Sequence, residues 1–209
     1  MRLLLIGGGG HCRSVLDCVL RVGSFDDIGI VDYDSTASAL GVPVVGTDDD
    51  LPDLLRDGWT HAFISVGSVG STSLRRKLCQ MVKDIGFTVP SIVDPSAQIA
   101  GGTEIGEGVF IGKLVVVNTG SKIGNCAIIN TGAIVEHDCR VGEFSHISPG
   151  GILCGQVTIG PDSHIGAGSV VRQQISVGSG SVVGAGSVVV KDIPENVIAF
   201  GNPCKVVVR

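Results

Sequence analysis

Rings are scarce in this chain. Aromatics make up 4% of its 209 residues, with one Trp and one Tyr. A core so poor in rings must be assembled from Val, Ile, Leu and Ala, which suits thin, regular layers better than one bulky globule. Basic stripes are missing too. The net charge is −5, which argues against a nucleic-acid partner, because nothing is there to neutralise a run of phosphates. No apolar run is long enough to span a bilayer. The opening MRLLLI breaks off into glycines before it could form a signal-peptide core. The expected location is the cytoplasm, without membrane insertion. The seven cysteines, at 12, 18, 79, 126, 139, 154 and 204, are odd in number and include no CxxC pair. A disulfide framework and a Cys-rich zinc site are both disfavoured, and the cysteines read as small hydrophobes.

What the chain does have is glycine and aliphatic residues, set to two different rhythms. Over residues 1–89 the pattern alternates strand and helix. LLLI (3–6), GIVD (29–32) and HAFISVG (61–67) read as strands. Cys12, Val15, Leu16, Val19 and Leu20 fall on one helical face, with Gly23 as C-cap, and LPDLLRDG (51–58) reads as a short helix. Leu74, Leu78, Met81, Val82 and Ile85 mark a further helix. Alternation with apolar strands predicts a small Rossmann-like parallel sheet in an α/β unit. Asp48–Asp50 reads as a helix start favoured by the dipole, and Trp59 as a packing residue.

From residue 93 every sixth position is Val, Ile or Leu, seventeen times without a break, from Val93 to Val189. The next residue is often Gly (106, 112, 124, 142, 160, 166, 178, 184), and a small residue recurs four positions after the aliphatic one. Such a repeat sets the architecture before any other signal. Six residues make a short strand and a corner, and three such units make a triangular coil of eighteen. The aliphatic residue points inward, the following Gly relieves the corner, and coils stack at about the ~4.8 Å strand spacing. This is the hexapeptide signature of a left-handed parallel β-helix. The expected division is 1–89, then 93–194 for the β-helix, then a tail over 195–209.

One stretch of the β-helix, NTGAIVEHDCRVGEFSHIS (130–148), concentrates polar residues. His137 is the third residue of its hexad, and His146 and His164 are the sixth of theirs. The latter two are eighteen apart, so they stack one coil above the other. With the aliphatic position pointing inward, all three imidazoles are expected on the outside. His137 has Glu136, Asp138 and, earlier, Asn130 as neighbours. An imidazole oriented by a carboxylate is a general base for acyl transfer to an amine or hydroxyl, and a backbone N–H can serve the developing oxyanion. Cys139 occupies a position that demands a small side chain and reads as core.

The run NTGAIVEHDCRVGEFSHISPGG (130–151), the opening GGGGH (7–11) and the ending FGNPCKVVVR (200–209) together resemble the nucleotide-sugar acetyltransferases of bacterial surface-glycan pathways. That group includes the bacillosamine-pathway N-acetyltransferase and sialic-acid O-acetyltransferase-like proteins. The resemblance spans the whole chain. It implies His137 as general base and Asp138 as the acid that raises its basicity, where relatives often carry the longer Glu. It implies Asn130 at the acceptor site, His146 against acetyl-CoA, the Gly155 amide at the thioester as oxyanion donor, and Ala167 and Ala185 as further contacts along the co-substrate. It also implies a homotrimer with each active site between two prisms, and no metal.

The glycine-rich opening follows a strand and begins a helix, a place where backbone N–H groups favour phosphate. Gly7 and Gly9 fit a dinucleotide fingerprint, but its third glycine falls on Cys12. The resemblance implies instead a nucleotide-sugar diphosphate at Gly8, Gly9 and Gly10, with His11 near sugar or phosphate. Asp32 and Tyr33 would read base or ribose, and Gly67 and Ser68 would close the pocket. Transfer of acetyl to a nucleotide-linked deoxyamino sugar is the leading expectation. The alternatives are O-acetylation of a sialic-acid-like sugar, a trimeric zinc hydratase using His137, His146 and His164, and a non-catalytic ligand-binding scaffold.

Overall fold

The computed structural model describes residues 1–207. A four-stranded parallel sheet opens the chain, in the order β3-β2-β1-β4. Its strands are β1 (Arg2–Ile6), β2 (Asp27–Val31), β3 (Val44–Gly46) and β4 (His61–Ile64). The short strand β3 was not expected from its sequence. Helix α1 (Gly10–Val22) covers one face of the sheet; α2 (Leu51–Arg56) and α3 (Ser73–Ile85) cover the other. Gly23 closes α1 in the left-handed conformation at φ 66°, its N–H donating to the Val19 carbonyl. Leu20, expected on the apolar face, is instead 47% exposed, and Cys18 is buried in its stead. Asp48–Asp50 forms a single 3-10 turn that leads into α2, closed by a capping box with Thr47. Trp59 is buried with the Arg2 guanidinium 4.0 Å above its ring. No helix among the described residues is long and apolar enough to cross a membrane.

The prism that follows contains seventeen two-residue strands, β5 (Ile92–Val93) to β21 (Val188–Val189). From β5 to β18 each pairs in parallel with the strand eighteen residues on, as Ile134 does with Ile152 and His146 with His164. The strands sort into three sheets, and the last strands, β22 (Ile198–Gly201) and β23 (Cys204–Val207), extend one of them as an antiparallel hairpin. The sixth-position aliphatics fill the centre: Ile111, Val117, Ile129, Val135, Ile147, Leu153 and Ile165 are all fully buried. The small residues four positions later are buried as well. Where they are serines, the hydroxyl donates to a carbonyl one coil on, as Ser145 does at Gly160 and Ser163 at Gly178, both 2.8 Å; Ser187 instead turns back to Gly184.

The glycines after the aliphatics have a different job from the one expected. The left-handed corner lies three residues after the aliphatic position, and Leu114, Asp138, Phe144 and Gln156 occupy it as well as glycines do. The glycine next to the aliphatic residue is required by the neighbouring coil instead. A Cβ on Gly142 would meet the backbone nitrogen of Pro161 at 2.4 Å.

The prism's three outward faces differ in chemistry. One carries Ile92, Phe110 and Ile128, which join the core beneath α1. At the corner leading into this face, Cys126 and Phe144 join the core beneath α3. Each such burial is worth about 1.5–3 kcal/mol, so this face is where the sheet unit docks. The second face is polar and exposed: Glu104, Lys122, Arg140, Thr158 and Ser176. The third presents an aliphatic row one coil apart: Val116, Ile134, Ile152, Val170 and Val188.

Candidate functional site

The eighteen-residue coil assigns each polar side chain to a particular edge or face of the prism. Thr131, Pro149, Ala167 and Ala185 stack on the edge that enters the aliphatic face, and His137 and Gly155 stack on the edge that leaves it. The polar stretch 130–148 is therefore dispersed around the prism, with Asn130 and Thr131 on the first of these edges and His137 and Asp138 on the second.

On the first edge the sheet unit and the prism enclose a cleft of about 480 Å³, lined by Gly10, His11, Ser14, Gly67, Ser68, Val69, Asn130, Thr131, His146 and Pro149. His146 Nδ1 lies 3.1 Å from the Ser68 carbonyl oxygen, which can only accept, so Nδ1 carries the proton. Its Nε2 then accepts from the Asn130 amide at 3.1 Å. The Asn130 carbonyl in turn accepts from the Thr131 N–H at 2.8 Å. Asn130 is thus a partner of His146 and not a neighbour of His137, as had been expected. His164 is not an outer-surface imidazole either: it is 8% exposed, edge-on to His146 at 4.9 Å between centroids, with Nε2 against the Ser148 hydroxyl at 3.1 Å. Burial, helped by the Arg75 cation, lowers His11 to about 4. Burial, opposed by the bond to Ser68, lowers His146 to about 4, and burial lowers His164 as well. All three rings are neutral near pH 7. The His11 Nε2 is buried without a partner, its ring edge-on to Phe110 at 5.2 Å, and it is a ready donor or acceptor for a ligand in the cleft.

The glycine-rich turn forms the upper wall. Gly7 sits at φ 97°, and the Gly8 N–H donates to the Asp32 carboxylate at 2.6 Å. α1 starts at Gly10 with no side-chain cap and no acidic residue in its first turn, so its N-terminal donors are free for an anion. Gly9 and Gly10 are exposed. Asp32 and Tyr33 lie behind the turn, in a separate cavity of about 190 Å³ with Gly7, Asp48, Val66 and Leu74. Tyr33 is 68% exposed. The turn lies between the two pockets, so a ligand reaching both must cross it.

On the second edge His137 Nδ1 lies 2.9 Å from the Asp138 carboxylate. That carboxylate can accept only, so the neutral ring is protonated at Nδ1 and offers a bare Nε2. Asp138 stands at a left-handed corner, φ 60°, a conformation Asp tolerates better than most side chains. Glu136 is not part of this pair; it accepts from the Asn118 amide one coil back at 2.9 Å. The imidazole lies flat over Gly155: a Cβ there would meet Nε2 at 2.5 Å and Cε1 at 2.7 Å. The Gly155 N–H has no acceptor among the described residues. A base lone pair and a free amide donor therefore share one exposed corner. Cys139 is fully buried, and burial raises its thiol to about 11, which leaves it inert.

The side chains sort cleanly. His11, Gly67, Ser68, Asn130 and His146 line one cleft, Ala167 and Ala185 lie further along the same edge, and His137, Asp138 and Gly155 lie together one face away. Among the described residues no three His, Cys, Asp or Glu side chains are grouped as metal ligands. Thr131, Pro149, Ser14 and Val69 went unnoticed in the sequence. The signal for Thr131 and Pro149 was there: they lie two coils and one coil before Ala167.

Residues 2–82 match the model of the PglD N-terminal domain, and residues 156–191 that of the bacterial transferase hexapeptide (six repeats). Among solved structures, a mutant of perosamine N-acetyltransferase from Caulobacter crescentus, in complex with CoA and GDP-perosamine, is 39% identical at TM-score 0.94, covering 100% of this chain and 98% of its own. The acetyltransferase domain of PglB from Neisseria gonorrhoeae is 36% identical at TM-score 0.93, covering 99% of each chain. WeeI from Acinetobacter baumannii, at 23% identity and TM-score 0.88 over 99% of this chain and 100% of its own, shares the fold. A search of curated proteins gives no match.

Proposed function

Since the chain belongs to the hexapeptide-repeat family of nucleotide-sugar acetyltransferases, we propose that it transfers acetyl from acetyl-CoA to the amino group of a nucleotide-linked deoxyamino sugar. The product would feed surface-glycan assembly, from a cytoplasmic location. The observation that carries this reading is the His137 ring, held at Nδ1 by Asp138 and packed against Gly155, whose N–H has no acceptor among the described residues.

In the reaction His137 Nε2 takes the proton from the sugar amine as its nitrogen attacks the thioester carbon. Asp138 stabilises the imidazolium that forms. The Gly155 N–H donates to the carbonyl oxygen as it gains charge. The C–S bond then breaks and the thiolate leaves, so no covalent enzyme intermediate is required. The small side chains of Ala167 and Ala185 leave the edge open enough for an extended thioester arm. The cleft supplies neutral donors and acceptors for the sugar, and the free first turn of α1 supplies N–H groups for the diphosphate.

One chain holds the base and the cleft on opposite edges of the aliphatic face. A homotrimer buries that face and brings the His137 edge of one prism to the cleft of the next, which is why both halves flank Ile134 and Ile152. The aliphatic row supports this reading, because a continuous half-buried apolar row of this kind is what an obligate interface presents.

The test is release of CoA thiol with GDP-, UDP- and dTDP-linked amino sugars, with His137→Ala as control. Thiol release with one nucleotide class and its loss in the variant is the expected result. No release with any amino sugar, or an equally active variant, removes the proposal, and preference for a hydroxyl acceptor redirects it to O-acetylation.

A further inference from the structure

None of the seven cysteines is used by the chemistry above, yet two of them meet across the junction of the sheet unit and the prism. Cys79, on α3, and Cys126, at a left-handed corner of the prism, are 3.2 Å apart at sulfur and each 3% exposed. That is about 1.1 Å beyond the ~2.05 Å of a formed bond. Arg75, one helical turn before Cys79, fixes the spacing of the two backbones. Its guanidinium is buried and donates to the Cys126 carbonyl and, at 3.0 Å, to the Phe144 carbonyl. Both residues border a cavity of about 310 Å³ whose other walls include Arg76, Gln80, Lys83 and Glu143.

We propose that Cys79 and Cys126 form a redox-modifiable dithiol, which small-molecule disulfides convert into an internal cystine that staples α3 to the prism. The two thiols are unequal in the way such exchange needs. A hydrogen bond from Cys126 holds the Cys79 thiol down against its burial, with Lys83 and Arg75 adding to the effect, while Cys126 is pushed up. Cys79 thiolate attacks one sulfur of the small disulfide, forming a mixed disulfide and expelling one thiolate. That thiolate takes the Cys126 proton. Cys126 sulfur then attacks the Cys79 sulfur and expels the second thiolate, which is protonated from solvent. Two protein thiols are oxidised to one cystine and one small disulfide is reduced to two thiols. The staple holds the helix that follows the Gly67–Thr72 loop, and the Ser68 carbonyl of that loop positions His146. It therefore fixes one lip of the cleft.

The experiment incubates the full chain with oxidised glutathione or with dithiothreitol, quenches in acid, alkylates under denaturing conditions and maps peptides by mass. A Cys79–Cys126 cystine in the oxidised sample alone is expected, with a melting temperature raised by several degrees, a rise absent from Cys79→Ser. Cys126→Ser is expected to trap the mixed disulfide on Cys79, whereas Cys79→Ser carries none at position 126. If both residues of the wild-type chain stay alkylatable while Cys154 or Cys204 becomes glutathionylated, the proposal is overturned. A cystine formed elsewhere overturns it as well.

Discussion

Gly155→Ala isolates the geometry on which the proposed chemistry depends. The added methyl group would stand 2.5 Å from His137 Nε2, 2.7 Å from Cε1 and 3.2 Å from Cδ2. Ordinary carbon contacts begin near 3.5 Å, so the ring must move by about 1 Å. It can do so cheaply, because the His137 side chain is 54% exposed and swings toward solvent. Gly155 is not among the left-handed residues, so alanine there brings no backbone strain. The variant is therefore expected to fold with an unchanged melting temperature. What it loses is the placement of Nε2 over the amide donor, and a displacement of about 1 Å in a catalytic group costs on the order of 100-fold in rate. Steady-state thiol release is the assay, with kcat falling about 100-fold and circular dichroism and melting temperature holding. Gly142→Ala is the contrasting control, since its Cβ meets backbone at 2.4 Å rather than a movable ring. It is expected to lose about 1–3 kcal/mol of stability. Full activity in Gly155→Ala would refute the assignment of this corner as the reaction centre.

Asp138→Asn keeps the shape of the corner but lets an amide donate to His137 Nδ1, which favours the wrong tautomer. kcat is expected to fall by about 100-fold or more, seen in a kcat–pH profile; an unchanged profile denies Asp138 its role. Ile152→Glu places a carboxylate in the middle of the aliphatic row, where burying an unpaired charge costs several kcal/mol. Light scattering is expected to report dissociation to a folded monomer, and an unaltered mass would move the interface to another face. His11 and His146 both titrate in the folded chain at about 4, below the ~6.5 of an unfolded imidazole. Their contribution is complete above pH 6.5 and is lost as pH falls from 6.5 toward 4, because the unfolded chain then binds more protons. Each ring accounts for on the order of 3 kcal/mol over that window. Urea midpoints at pH 7, 6 and 5 check it, and His146→Phe is expected to flatten the slope without abolishing it, since His11 and His164 still contribute.

The aliphatic residue at every sixth position, from Val93 to Val189, needed only local sterics to be read. A two-residue strand with one inward side chain must repeat in phase, so the coil, its register and the stacking of His146 on His164 were legible residue by residue. Helices α1 and α3 were legible for the same reason, through their apolar stripes. Strand β3 was not, because three residues carry no period, and its place is set by pairing with β2. The left-handed corners were misplaced because Leu114, Phe144 and Gln156 adopt them under the pull of the inter-coil ladder, against their own preference. Only the tertiary structure decided which prism face the sheet unit covers. That docking buried His164, drew His146 to the Ser68 carbonyl and gave Asn130 to His146 rather than to His137. The contact of the His137 ring with Gly155, eighteen residues away, comes instead from the stacking of successive coils. Periodicity is a property of neighbours along the chain and survives in one dimension. Which polar groups share a cleft depends on how two units pack, and that is settled by burial across surfaces no local pattern records.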